Sequence, residues 1–287
     1  MNIMKFRPLF YIISSFLLIS SLISIVFWGF KPSIDFVGGA IWDIALPAEP
    51  DDSKIKEIFT KNNINNLIVT KNNTEYRLEF KDITPDQKNT LDEEIKKIDK
   101  DFKELKFESL GASLGKELFK KTIMAVILSS FFLLLFIGSR FKDFSFGASA
   151  ILAMFHDTFI LIGAFSILGH FFGAELDSLF VTALLTTLSS SVHDTVVTFD
   201  RIRELKRQNF KIDWVNLANQ AVTETLNRSI NNSMTIVFML LSLVLLGGAT
   251  TKWFATALLI GVVCGTYSST AVAIPLVLFW KNIKQKK

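Results

Sequence analysis

The chain has 287 residues, half of them apolar, and a formal net charge of +4. The apolar residues form long runs nearly free of charge, a pattern typical of segments solvated by lipid and not of a soluble domain. The basic residues lie beside these runs and not in one patch, so no nucleic-acid partner is indicated. The single cysteine, Cys264, has no second cysteine with which to form an internal disulfide.

Six apolar segments have the length that a transmembrane helix needs, about 20 residues. The first is longer than the core of a signal peptide and no small-x-small cleavage site follows it, so we expect an uncleaved first helix. The predicted spans are Leu9–Phe30, Thr122–Gly138, Phe144–Leu168, Ser178–Phe199, Ser229–Gly247 and Phe254–Trp280.

The short loops predict the orientation of the chain. Lysine and arginine are in excess on one side, and only Lys252 lies in the short loops of the other side. Because cytoplasmic loops carry this excess, both termini are predicted to be cytoplasmic. The predicted organisation is an N-terminus with the first helix (1–31), an extracytoplasmic domain (32–118), and a five-helix bundle (119–287) with a cytoplasmic loop at 200–228. The basic residues are Lys5, Arg7, Arg140, Lys142, Arg201, Arg203, Lys206, Arg207, Lys211, Arg228, Lys281, Lys284, Lys286 and Lys287.

The domain between the first two helices alternates strand and helix patterns. Trp42, Ile44 and Leu46 share one face of a predicted strand, and Thr84-Pro85-Asp86-Gln87 has the form of a helical capping box. The order βαββαβ predicts a small α+β domain with a ferredoxin-like sheet. Its carboxylates lie among lysines on helix faces and indicate no catalytic site, so we expect contact with a polypeptide. The predicted elements are strands 40–46, 67–70, 76–80 and 103–110 and helices 51–62 and 84–101.

Ionisable side chains inside the predicted spans are the strongest functional signal, because each costs about 3 kcal/mol at membrane depth. Asp194 lies on a polar stripe of the fourth span, and Arg228 begins the fifth from the cytoplasmic side. We expect the two to face each other in the cytoplasmic half of the membrane. Proton uptake by the carboxylate would break such a pair, which is the elementary step of a proton-driven switch.

Three further residues are candidates for a proton path, namely Asp157, His156 and His193. Each histidine precedes an aspartate, so we expect the two side chains of each dipeptide to diverge along the helix. A metal site built from the two His-Asp dipeptides is disfavoured because they lack a specific ligand spacing. An intramembrane protease using Ser191 and His193 is also disfavoured, because residues two apart on a helix diverge. No metal or cofactor is predicted.

Two patterns indicate packing. Small residues recur every four positions on the sixth span, including Gly261, Gly265 and Ser269, which favours close approach of another helix. The loop 200–228 is basic and partly amphipathic, so we expect it to lie along the cytoplasmic interface in contact with membrane lipid.

Several motifs together resemble those of the SecD/SecF family, within the RND superfamily. The most specific is Asp194-Thr-Val-Val-Thr-Phe-Asp200-Arg201-Ile-Arg-Glu204. The fourth span departs from the family pattern at Ser189–Ser191 and at His193, and the fifth span departs at Asn232. The other matching segments are Asp35-Phe-Val-Gly38-Gly39, Leu110–Leu118, His156-Asp157, Thr225–Asn231 and Gly265–Ser269.

The resemblance implies a subunit that pairs with SecD and assists the SecY channel complex. Such a subunit couples proton flow to the export of a translocating secretory polypeptide across the bacterial inner membrane, and it is not an enzyme. Asp194 and Arg228 are then assigned to the proton path. The alternative is a half-size RND exporter of lipids or small molecules, although such exporters usually carry larger outside domains and twelve helices in one chain. A channel is disfavoured because its pore would need a symmetric polar lining.

Overall fold

The computed structural model describes residues 2–64, 67–208 and 212–285. The chain forms two compact units: Met1–Lys31 with Ala125–Lys287, and Pro32–Met124. Lys211, Lys286 and Lys287, which contribute to the predicted orientation, lie outside the described residues.

The first unit is helical. A 3₁₀ turn at Ile3–Phe6 precedes the first long helix, and a π-helical turn at Ser269–Ala273 interrupts the last one. One helix, α5, runs from Ala112 to Arg140, and its residues after Met124 belong to this unit. The other helices are α1 (Arg7–Trp28), α6 (Phe144–Phe172), α7 (Ser178–Gln208), α8 (Trp214–Leu246), α9 (Ala249–Ser268) and α10 (Ile274–Gln285).

Five helical stretches of the described residues are long and apolar enough to cross a membrane, which makes this a multi-pass membrane protein. They correspond to five of the six predicted spans. Helix α7, the fourth predicted span, is not among them, because its serines, threonines, His193 and Asp194 lower its hydropathy. The five stretches are Ile3–Trp28, Ala112–Arg140, Phe144–Phe172, Trp214–Leu246 and Thr251–Ile283.

The amphipathic part of the loop 200–228 differs from its prediction. Helix α7 continues to Gln208 and α8 begins at Trp214, so this part forms the first turns of α8. Its apolar residues Leu217, Ala218 and Val222 are buried in the core of the bundle. An amphipathic pattern predicts only that one face is covered, and here protein and not lipid covers that face. The position of the segment along the cytoplasmic interface stays a prediction.

The second unit contains the predicted order of strands and helices. A short helix, α2 (Ile34–Val37), precedes four strands and two helices. All paired strands are antiparallel, and their order in the sheet is β2-β3-β1-β4. The elements are β1 (Gly39–Ala45), α3 (Asp52–Lys61), β2 (Ile68–Asn72), β3 (Glu75–Phe80), α4 (Pro85–Ile98) and β4 (Lys103–Leu110).

The core of this unit lies between the sheet and the two helices. Trp42 and Ile44 of β1 are fully buried and pack in one cluster with apolar residues of α3 and α4. The capping box of α4 is formed, because the Thr84 amide donates to Gln87 Oε1 at 3.0 Å and the Gln87 amide donates back to the Thr84 hydroxyl. The helix residues of the cluster are Ile55, Phe59, Leu91 and Ile95.

Candidate functional site

Asp194 lies in a polar cavity between α7 and α8. Its carboxylate accepts a hydrogen bond from the Ser229 hydroxyl at 3.1 Å. The cavity has a volume of about 170 Å³. The helical period aligns the α7 residues that line it, and the middle of α8 supplies the opposite wall. The lining residues are His193, Asp194, Val197, Thr198, Thr225, Arg228, Ser229 and Asn232.

Arg228 lines the same cavity as Asp194, but the two residues form no salt bridge in the described part of the chain. The direct partner of the carboxylate is therefore the hydroxyl of Ser229, the next residue along α8. Arg228, His193 and Asn232 are exposed on the surface of the bundle, whereas Asp194 is half-buried.

Asp157 is buried where α6, α7 and α9 meet. One carboxylate oxygen, Oδ2, accepts hydrogen bonds from Ser191 Oγ at 2.6 Å and from Ser268 Oγ at 2.5 Å. The other oxygen lies 2.9 Å from Nδ1 of His156. Three polar groups therefore hold Asp157, and two of them come from other helices.

The contact between His156 and Asp157 corrects the expectation that these neighbouring side chains diverge. Successive residues on a helix are only about 100° apart, so a ring and a short carboxylate can bend toward each other. Nε2 of His156 is buried, and no described residue hydrogen-bonds to it. The π-helical turn begins at Ser269, immediately after the Ser268 that contacts Asp157. Such turns are often found at functional sites.

The glycines of the sixth predicted span lie against α7. A Cβ on Gly261 would overlap the side chain of Thr187, and one on Gly265 would lie 3.3 Å from the backbone of Ser191. Ser269 is buried within the π-helical turn. This close approach brings α9 near enough for Ser268 to reach Asp157.

Asp200 and Arg201 take part in ion pairs at the end of α7. Asp200 pairs with Arg140 of α5 and with Arg203 at 3.2 Å. Arg201 pairs with Glu204 at 2.6 Å and with Glu224 of α8. These pairs join helices and leave neither residue beside the Asp194 carboxylate.

The motif from Asp35 to Gly39 forms the turn that leads into β1. Gly38 and Gly39 have φ angles of +77° and +137°, which favour glycine. A Cβ on Gly38 would also meet the backbone of Ala112 at 2.5 Å. Asp35 is in the first turn of α2, where its amide donates to the Ser33 hydroxyl. The geometry gives these glycines a conformational role.

Sequence reasoning missed the serines that bind the two aspartates. Ser229 and Ser268 lie within the matching segments quoted above and Ser191 lies in a departure from them, yet serines in apolar helices are common and usually bond to their own backbone. Their side chains here reach carboxylates on other helices. The described residues contain no group of three His, Cys, Asp or Glu side chains placed to hold a metal ion.

Comparison with known proteins finds relatives that all belong to one family of protein export membrane proteins. Residues 90–283 match the family described as protein export membrane protein SecD/SecF, C-terminal. The protein translocase subunit SecF of Thermobaculum terrenum is 37% identical over 299 residues, covering 98% of this chain and 94% of the relative. The SecF subunit of Synechocystis is 32% identical over 307 residues, covering 100% of this chain and 96% of the relative.

A solved structure has the same fold. The crystal structure of SecDF, a translocon-associated membrane protein from Thermus thermophilus, matches with a TM-score of 0.86 at 28% identity. The match covers 98% of this chain and 39% of that longer chain. The family match and the near-complete coverage of its relatives show that this chain belongs to the SecD/SecF family of protein export membrane proteins.

Proposed function

We propose that this chain is a SecF-like auxiliary subunit of the Sec translocase, which pairs with SecD and couples proton flow to protein export. The observation that carries the assignment is the similarity over 98% of the chain to a protein named translocase subunit SecF. The half-buried Asp194 in its polar cavity supplies a titrating group for the coupling. The same relatives support a transport role and not an enzymatic one.

The proposed topology has six spans, with α7 as the fourth. Helix α7 has 31 residues, which is long enough to cross a bilayer, and its polar stripe is partly buried within the bundle. Both termini and the segment 200–228, which holds the end of α7 and the start of α8, are then cytoplasmic by the distribution of basic residues, and the membrane is the inner membrane. Residues 32–118 form the extracytoplasmic domain, and its antiparallel sheet order β2-β3-β1-β4 supports the ferredoxin-like assignment.

The exposed polar groups around the Asp194 cavity support pairing with a second membrane protein. Arg228, His193 and Asn232 are exposed on the isolated chain, and polar groups are costly beside lipid. Helices of a partner would cover them. The relatives include a SecDF chain in Thermus thermophilus, 30% identical over 284 residues and matched over 38% of its length. That fused relative supports SecD as the partner, and the translocase names support the SecY channel and a secretory polypeptide as further partners.

In the proposed coupling step, a proton binds Asp194 from the cavity and changes how α7 and α8 interact. The ionised carboxylate attracts Arg228 across the cavity and accepts the Ser229 hydrogen bond. A protonated carboxyl group no longer attracts the guanidinium, so the two helices can separate. His193 lines the same cavity and is the second group able to carry the proton. Asp157 and His156 form a separate cluster, tied to α7 and α9.

The first test is Asp194→Asn, since the amide keeps the size of the side chain and removes its titration. Cells carrying this protein as their only copy would be pulse-labelled, and conversion of a signal-bearing precursor to the mature form would be followed at equal expression. We expect the variant to accumulate precursor as a depleted strain does. Asp86→Asn is the matched control, because Asp86 is an exposed carboxylate of the second unit.

The outcomes separate the two parts of the proposal. Normal export in the depleted strain would refute the translocase assignment and favour the RND exporter. Normal export in Asp194→Asn alone would keep the translocase role and remove Asp194 from the proton path, which makes Asp157 the next candidate.

A further inference from the structure

A second cavity lies between the start of α1 and the end of α10, apart from both aspartates. Its volume is about 370 Å³, within the usual range for small-molecule sites. Lys5, Arg7, Tyr11, Pro275, Phe279 and Asn282 are among the residues that line it.

The lining of this cleft is positively charged and carries no carboxylate. Neither Lys5 nor Arg7 forms a salt bridge with any described acidic residue. Lys281, in the same helix as Phe279, is instead paired with Asp143. Two cations at one cleft without a counter-charge favour an anionic ligand.

The polar side chains that line the cleft have hydrogen-bond donors left for a ligand. Arg7 donates only its Nε, to the carbonyl of Met4 at 2.8 Å, so its terminal nitrogens remain free to donate. The hydroxyl of Tyr11 and the amide of Asn282 have no hydrogen-bond partner among the described residues. Together these groups can donate several hydrogen bonds to phosphate oxygens.

The position of the cleft favours a phosphate that belongs to a lipid headgroup over a phosphate in solution. Arg7 begins α1, and an apolar helix follows it, so the cleft lies at the level where the hydrocarbon core ends. Below it, exposed apolar side chains follow the helical period on one face of α1, namely Ile12, Ile19 and Leu22. Phe279 adds an exposed apolar wall beside the charges.

We propose that this cleft binds the headgroup of an anionic phospholipid, with an acyl chain lying along the exposed face of α1. Basic pockets between helices at the membrane surface take such headgroups. The site uses none of the residues of the proton path, and it stands whether or not the chain acts in export.

The test measures lipid binding to the full chain purified in detergent. Phosphatidylglycerol and phosphatidylcholine would be titrated separately, and bound lipids counted by native mass spectrometry. We expect Lys5→Gln/Arg7→Gln to weaken phosphatidylglycerol binding by about 30-fold, to the level of phosphatidylcholine. Lys142→Gln/Arg207→Gln is the matched control, since it removes two exposed positive charges outside the cleft and should leave binding unchanged.

Two further experiments, competition with phosphate and photolabelling, can refute the proposal. Millimolar inorganic phosphate should not displace the lipid; efficient displacement would assign the site to a soluble phosphate and overturn the lipid source. A photoactivatable phosphatidylglycerol should label the wild-type chain within residues 5–11 or 275–282, which requires no variant to fold. Labelling spread evenly over the exposed helices, or equal loss of binding in both double variants, would overturn the site.

Discussion

Asp157 and Asp194 are the same residue type in neighbouring helices, but their surroundings differ. Asp157 is buried and held by His156, Ser191 and Ser268, two of them from other helices. Asp194 has one hydroxyl donor and faces a cavity. The number of donors and the access to the carboxylate therefore distinguish the two residues: Asp157 links three helices, and Asp194 is the one that we propose as the titrating group.

The contribution of the hydrogen bonds to Asp157 can be tested at Ser268. Ser268→Ala removes the hydroxyl that donates to Asp157 Oδ2, and we expect a loss of about 0.6–1.7 kcal/mol, the range of hydrogen bonds between membrane helices. The measurement is the unfolding of the purified protein in mixed micelles with increasing denaturing detergent. Ser242→Ala is the control, because its exposed hydroxyl donates only to the backbone of Phe238. Equal stability of both variants would show that the hydrogen bond to Asp157 contributes nothing.

At the scale of the elements, the contact between α7 and α9 depends on glycine. Gly261→Leu places a branched side chain where Thr187 already lies, and overpacking of this kind costs about 1–3 kcal/mol. The same unfolding measurement would detect it. Gly138→Leu is the matched control, since no atom lies within 4 Å of a Cβ there. An unchanged free energy of unfolding in Gly261→Leu would mean that α7 and α9 can move apart without loss of stability.

The two helices of the second unit are linked by an acid-sensitive contact. Glu94 of α4 accepts hydrogen bonds from Lys61 at 3.1 Å and from Asn62 at 2.8 Å, and these bonds hold its pKa below the ordinary value of 4.5. A lowered folded-state pKa means that the contact stabilises the fold above that ordinary value. The stabilisation is lost as the pH falls through the folded pKa.

We therefore expect Glu94→Gln to lower the stability of the second unit at neutral pH, and the gap from wild type to close as the pH falls below 4.5 and through the lowered folded-state pKa. Urea unfolding followed by tryptophan fluorescence at several pH values measures this. Glu57→Gln, on the exposed face of α3, should show no such pH-dependent gap. A gap that persists at low pH would assign the effect to packing instead of charge.

At the scale of the whole molecule, the division into two units predicts two unfolding events. Urea should unfold Pro32–Met124 first, because helices in a micelle cannot exchange their backbone hydrogen bonds for water. Trp42 is fully buried in the second unit, and Cys264, the single cysteine, is partly buried in the first. We expect the Trp42 fluorescence to change while Cys264 stays protected from a thiol reagent. Trp42→Phe identifies the signal, and simultaneous loss of both protections would contradict two separate events.

The amino-acid pattern by itself determined the membrane class, the order of strands and helices in the second unit, and the family. These are local properties: hydropathy is summed along one segment, and the capping box at Thr84 lies within four residues. It also pointed to Asp194, because a carboxylate in an apolar run is conspicuous. The same local reasoning predicts six spans, of which five are apolar enough to be recognised by hydropathy alone, whereas the polar helix α7 stays a predicted span.

Only the tertiary structure decided which groups meet. Ser191 and Ser268 are 34 and 111 positions from the aspartate they bind, and Ser229, not Arg228, donates to Asp194. The helical period fixes which residues share a face of one helix, but not how far that helix is rotated or shifted against its neighbours. Rotation and shift follow from packing, here from glycines that let α9 approach α7. For that reason the sequence alone identifies the two aspartates, whereas their hydrogen-bond partners depend on how the helices pack.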